Sequence, residues 1–140
     1  MESHRELSAK QPVVVVVDDD AAVRNSLKFA LEIEGYSVRT YADGAALMSA
    51  DDLSECACLI IDQNMPGGAG LDVVANLRQR AIAVPAILIT SHPNVALSRR
   101  ARSAGIPIVE KPLLTNALIE SVRGIAREVR PGRGGASPAG

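Results

Sequence analysis

The chain has 140 residues, 47% of them hydrophobic but only 2% aromatic, and a formal net charge of −1. That length suits one domain with a sizeable core, which must be built from Val, Leu, Ile and Ala because Trp is absent. So few rings exclude a stacking surface for single-stranded nucleic acid. No stretch approaches the ~20 apolar residues of a membrane span. The opening MESHRELSAKQP has no apolar signal core, so a cytoplasmic location is expected.

In chain order, residues 1–11 read as a flexible segment. Val13 to Val17 are five consecutive valines, a pattern suited to a strand buried on both faces in a parallel sheet. They run into Asp18, Asp19 and Asp20. One or two of these acids fit a helix start, where Asp caps the first turn and meets the positive dipole end. Three is more than capping needs, since two carboxylates ~4 Å apart repel by about 4 kcal/mol at an effective dielectric near 20. A cation site is the better explanation.

Val23, Leu27, Ala30 and Leu31 then form an apolar helical stripe stopped by Gly35. Tyr36 to Tyr41 reads as a strand and Ala42 to Met48 as a short helix starting near Asp43. Ala57 to Ile61 is an apolar strand ending in Asp62. Cys56 and Cys58, two positions apart, are expected on the same face of that strand as small buried thiols, with no further ligand nearby for zinc. Met65 to Gly70 is a Pro/Gly-rich loop, and Leu71, Val73, Val74 and Leu77 start the next helix. Ala86 to Ile89 is a third apolar strand, ending in Thr90 and Ser91. Pro93 or Asn94 opens a helix that stops at Gly105. Ile106 to Val109 reads as a strand leading to Glu110, Lys111 and Pro112. The final helix, about Thr115 to Val129, places Leu118, Ile119, Val122, Ile125, Ala126 and Val129 on one face. Residues 131–140 form a Pro/Gly/Ser tail that cannot bury enough surface to fold.

Five rounds of strand then helix argue for a parallel sheet covered on both sides. In such sheets the site lies beyond the carboxyl ends of the strands. Asp18 to Asp20, Asp62, Thr90 with Ser91, and Lys111 all fall at such ends. Carboxylates supply the hard oxygens that Mg²⁺ prefers, and a carboxylate can also attack phosphorus to form an aspartyl phosphate. An ammonium at Lys111 would pair with a phosphoryl oxygen. The Thr90 hydroxyl and loop N–H groups would donate to others.

VVVVVDDD, IIDQNMPGGAG, ILITS and VEKP together resemble the receiver domain of two-component response regulators, over roughly residues 12–130. The most distinctive match is D-x-x-M-P-x-x-x-G from Asp62 to Gly70. The resemblance implies a doubly wound, flavodoxin-like or CheY-like (βα)5 fold with a five-stranded parallel sheet and five helices. It implies that Asp62 is the phosphoacceptor, served by a sensor histidine kinase or phosphotransfer protein. Asp18 and Asp19 match the metal-binding pair, with Asp62 and the Asn64 backbone carbonyl completing the protein ligands to Mg²⁺, for which Mn²⁺ can substitute. Thr90 matches the hydroxyl that moves toward the phosphoryl group, and Lys111 matches the family's ammonium. Asp20 matches a position that is often acidic without being a ligand. Asn64 and His92 match variable positions that tune how readily water attacks the acyl phosphate.

Three features depart from the pattern. Ile108 stands where the family commonly has Tyr or Phe coupling phosphorylation to the output face. Pro107 precedes it, and the interval from Gly105 to Lys111 is one residue short. Leu113 replaces the usual Phe. The expected function is a single-domain response regulator that signals by protein contact or acts as a phosphate relay or sink. It would be an enzyme only toward its own phosphorylation and dephosphorylation. The alternative is the receiver half of a DNA-binding transcriptional regulator, although no DNA-reading motif stands in these residues. A Mg²⁺-dependent aspartyl-phosphate phosphatase fits less well, because Gln63 and Asn64, not an acid, follow Asp62. The charge is also divided: residues 1–62 hold 12 acids and 5 Lys/Arg, whereas residues 63–140 hold 4 acids and 10 Lys/Arg. Arg99, Arg100 and Arg102 concentrate the basic half on one helix, so the downstream protein partner is expected to be acidic.

Overall fold

The computed structural model describes residues 11–111 and 115–128. The N-terminal segment up to residue 10, Pro112, Leu113, Val129 and the tail lie outside the described residues. Strands β1 (Val13–Val17), β2 (Ser37–Tyr41), β3 (Cys58–Asp62), β4 (Ala86–Thr90) and β5 (Ile108–Glu110) alternate with helices α1 (Ala21–Ile33), α2 (Gly44–Met48), α3 (Gly70–Gln79), α4 (Val95–Ser103) and α5 (Thr115–Glu128). One 3₁₀ turn, Leu53–Glu55, precedes β3.

All strand pairs are parallel, in the order β2-β1-β3-β4-β5. The valine run explains itself once both faces are covered. Val15 and Val17 join Leu59, Ile61 and Leu88 on the face packed by Leu47 of α2, Val74 and Leu77 of α3, and Leu97 and Ala101 of α4. Val14 and Val16 join Ile60, Ile87 and Ile89 on the other face, under Leu27 and Leu31 of α1 and Leu118 and Val122 of α5. Successive strand residues point to opposite faces, so only an unbroken apolar run satisfies both layers. Every residue of β3 and β4 is buried.

Local signals set the helix ends. Asp20 caps α1 by accepting from the N–H groups of Ala22 at 2.9 Å and Val23 at 3.4 Å. Asp43 caps α2 through Ala46 at 2.8 Å, and Asn94 caps α4 through Leu97 at 2.9 Å. Gly35 ends the first helical segment at φ +100°, a conformation that glycine adopts without strain.

Two expectations fail. β5 starts at Ile108 rather than Ile106, because Pro107 has no N–H to give the ladder and contributes only its carbonyl, which accepts from Leu88 at 2.9 Å. Cys56 and Cys58 do not share a face: they belong to opposite core layers. Cys56 closes the 3₁₀ turn before the strand begins, so strand alternation does not reach it. Both thiols are free and buried. Burial pushes Cys56 up to about 11 and Cys58 higher still, which leaves them unreactive core residues.

Candidate functional site

The order β2-β1-β3 places the change of winding direction between β1 and β3, and that is where Asp18 and Asp62 lie. The chain leaves β1 toward β2 on one side and returns to build β3 on the other. This opens a crevice at the carboxyl ends of the two strands.

Carboxylate oxygens of Asp18, Asp19 and Asp62 come within 4.8 Å of one another. Asp18 is fully buried and Asp62 is 2% exposed, while Asp19 faces solvent. Lys111 Nζ stands 3.3 Å from Asp18 Oδ2 and 3.3 Å from Asp62 Oδ2, and its hydrogen bond goes to Asp62. One ammonium does not neutralise three acids. Asp18 Oδ2, buried, accepts no hydrogen bond among the described residues. A buried carboxylate oxygen met only by a shared ammonium, inside a cluster of hard oxygen donors, fits a divalent cation such as Mg²⁺, which takes few protein ligands and keeps waters.

Burial raises the Asp62 pKa above the usual carboxylate value. The Asn64 N–H at 3.2 Å and Lys111 oppose this, and the nearby Asp18 charge reinforces it. For Lys111, burial works downward but is outweighed by Asp62 and Asp18, which hold the ammonium above its ordinary value. The pair is therefore electrostatically tied.

Thr90 is fully buried at the end of β4. Its hydroxyl oxygen accepts from the Asn64 side-chain amide at 3.2 Å and from the His92 backbone N–H at 3.1 Å. Asn64 thus bridges the Asp62 loop to Thr90, and its side chain is more engaged than its place in a loop implied. His92 and Asn64 are both exposed. Ile108 packs against the core layer that includes α3 and α4, in register with Leu88.

Two supporting residues escaped the sequence reading. Gln63 closes the loop onto α3: its carbonyl accepts from Gly70 at 3.1 Å and its side-chain oxygen from Leu71 at 2.8 Å. The available signal was Ala69 at the cap position of α3, which has no side chain able to cap. Arg24 donates to the Asp18 carbonyl at 2.7 Å and pins the end of β1. A cation in a helix first turn opposes the dipole, so Arg24 called for a local acceptor. Gly70 has a stricter reason. A Cβ there would run into the Asp62 carbonyl oxygen and sit 3.0 Å from its carbon, so only glycine lets α3 start against the acid-bearing strand end.

A family model described as Response regulator receiver domain matches residues 14–123. The chain belongs to that family. Among curated relatives, the transcriptional regulatory protein FixJ of Azorhizobium caulinodans is 36% identical over 122 residues, which cover 86% of this chain and 58% of FixJ. The C4-dicarboxylate transport transcriptional regulatory protein DctR of Rhodobacter capsulatus is 36% identical over 110 residues, covering 76% of this chain and 56% of DctR. The receiver chain therefore spans under three-fifths of the length of these two relatives. Among solved structures, FixJ-N superposes with a TM-score of 0.76 at 30% identity, covering 86% of this chain and 97% of FixJ-N. A CheY-like receiver domain protein from Methanospirillum hungatei JF-1 gives a TM-score of 0.77 over 85% of this chain and 96% of its own, at 22% identity, which speaks for the fold alone. The five-stranded parallel sheet with five helices is the CheY-like, flavodoxin-like receiver fold. Among the described residues, no helix is long and apolar enough to cross a membrane.

Proposed function

We propose that this receiver accepts a phosphoryl group on Asp62 from a sensor histidine kinase or phosphotransfer protein in the cytoplasm. It would pass the signal on by protein contact, or serve as a phosphate relay or sink. The observation that carries this reading is the buried Asp62 carboxylate, 3.3 Å from Lys111 Nζ and inside a cluster of three acids that share this one ammonium.

The Asp62 carboxylate forms a bond to phosphorus as the bond from phosphorus to the donor's histidine nitrogen breaks. Its raised pKa calls for help in staying ionised, and Lys111 gives that help before transfer. Afterwards the Lys111 ammonium pairs with a phosphoryl oxygen. Asp18, Asp19, Asp62 and the Asn64 carbonyl would hold Mg²⁺, or Mn²⁺ in its place, which supplies charge neutralisation on the phosphoryl oxygens. Thr90 donates its hydroxyl to the phosphoryl group. The Thr90 oxygen also accepts from Asn64 and His92, so its movement pulls on the Asp62 loop and on the segment leading into α4. That link offers a route for the signal where Ile108 stands instead of an aromatic ring. Asn64 and His92 flank the acyl phosphate and tune its hydrolysis.

The test is phosphotransfer profiling against a panel of purified, autophosphorylated histidine kinases. Wild-type protein should take label from at least one kinase and Asp62→Asn from none. Label on Asp62→Asn, or no transfer from any kinase, contradicts the reading.

A second reading is favoured by the relatives themselves, two transcriptional regulatory proteins of which this chain matches under three-fifths. In it, this receiver regulates a DNA-binding output unit. These residues alone should then give no specific shift of promoter DNA, whereas a longer chain carrying such a unit should do so in a phosphorylation-dependent way.

A further inference from the structure

The helices α3 and α4 do not close over the sheet. Between them lies a groove of about 530 Å³ whose lining includes Leu71, Val74 and Ala75 of α3, and Ala104 and Ile106 just beyond α4. Its rim is basic. Arg78 reaches across to the Ala104 carbonyl at 2.6 Å, and Arg100 crosses to Asp72 at 2.8 Å. Both contacts bridge the two walls of the groove at its exposed rim. Arg99 also lines it but has no ionic or hydrogen-bonding partner among the described residues. The same Arg99 also belongs to an exposed face made by α4 and its N-terminal approach, with Arg102 and the 68%-exposed Val95. The helix is thus one wall of the groove, with an exposed face beyond it. It is anchored by Leu97 and Ala101, its buried residues.

We propose that the groove between α3 and α4 docks an acidic, amphipathic segment of a partner protein. The apolar floor calls for apolar side chains, and the unengaged Arg99 on the rim calls for a carboxylate. A helix laid in a groove presents both at i, i+3, i+4 and i+7 spacing. A duplex nucleic acid would use the arginines but leave the apolar floor uncovered. Both walls are fastened to the acid site. Leu71, in the α3 wall, is held by Gln63, the neighbour of Asp62. The α4 wall follows from His92, whose N–H is held by Thr90. A change at Asp62 or Thr90 therefore bears on both sides of the trough. This assignment builds on the signalling role proposed above, but the surface stands on its own geometry.

The experiment is a selection from a displayed library of random peptides, roughly 16 residues or four helical turns long, on the immobilised unmodified full chain. Amide chemical-shift mapping and affinity measurement of the enriched sequences follow. Enriched peptides should combine acidic residues with apolar residues at helical spacing and perturb Ala75, Ala104 and Arg99. They should bind Arg99→Glu and Ala75→Arg about tenfold more weakly or worse. Both variants change exposed residues and should keep wild-type circular dichroism. No enrichment, equal binding to Arg99→Glu, or shifts mapping instead to the exposed Phe29 and Ile33 of α1 overturns the proposal. So does displacement of the peptides by a short DNA duplex, which would mark a phosphate-binding surface. Concentration-dependent self-association abolished by Ala75→Arg would likewise overturn it, in favour of a second copy. Because the protein is unmodified throughout, the outcome does not depend on whether Asp62 accepts a phosphoryl group.

Discussion

Asp62 and Lys111 face each other across 3.3 Å, yet the strand that carries Asp62 and the strand that leads into Lys111 are held very differently. β3 is bonded on both sides, to β1 and to β4, and each of its residues is buried. β5 is a three-residue edge strand with none of its residues buried, entered through a proline that cannot donate. The Asp62 carboxylate is therefore fixed by the core, while the cation opposite follows the part of the sheet that yields most easily. Chemistry that needs fixed geometry belongs on the first strand, and a response that needs motion belongs near the second.

The comparison can be broken by unequal substitutions. Ile60→Ala in β3 removes a fully buried side chain and should cost about 2–5 kcal/mol. Ile108→Ala in β5, half-buried, should cost about 1 kcal/mol or less. Urea unfolding of both variants decides, and equal losses would refute the contrast. Gly70→Ala should cost about 1–3 kcal/mol by overpacking. It should also slow phosphorylation of Asp62, because the Asp62 carbonyl is what the new methyl meets. Unchanged stability and rate together would show that α3 can retreat without disturbing the site.

The electrostatics predict a smaller effect with a definite sign. The folded Asp62 carboxyl keeps its proton to higher pH than the unfolded one, chiefly through burial. Between the ordinary and the raised value the folded state binds more protons, so metal-free stability falls as pH rises through that window. Asp62→Asn removes the buried charge and should raise the urea midpoint of the metal-free protein at neutral pH, with a flatter dependence through the mildly acidic range. A lower midpoint would show that Lys111 needs Asp62 more than Asp62 suffers from burial. Smallest of all, His92→Ala should change the dephosphorylation rate by a few-fold (about 1 kcal/mol or less in barrier height), leaving stability as it is. An unchanged rate removes the tuning role and leaves only the backbone N–H of His92 in the site.

The same contrast explains what the sequence made legible. Contiguous apolar runs ending in acids or a hydroxyl marked β1, β3 and β4. The strand-end positions of Asp18, Asp62 and Thr90 were legible because burial on both faces writes itself as an unbroken string. β5 has too few residues for any period, and Pro107 moved its start to Ile108. Cys56 was misplaced because a 3₁₀ turn ends at it, one residue pair before the strand begins, and turn geometry leaves no alternation to read. Gln63 and Arg24 act on backbone groups through single side chains, which no periodicity reports. Their sign was indirect: an alanine where a cap was needed, and a cation where the helix dipole disfavours one.

The central claim is that Asp62 is the phosphoacceptor. It is tested most directly by intact mass spectrometry after incubating wild-type and Asp62→Asn protein with acetyl phosphate and Mg²⁺. The account predicts the added mass of one phosphoryl group on wild type, lost when Mg²⁺ is chelated beforehand, and none on Asp62→Asn. Wild-type protein without added mass, or Asp62→Asn with it, would contradict the account.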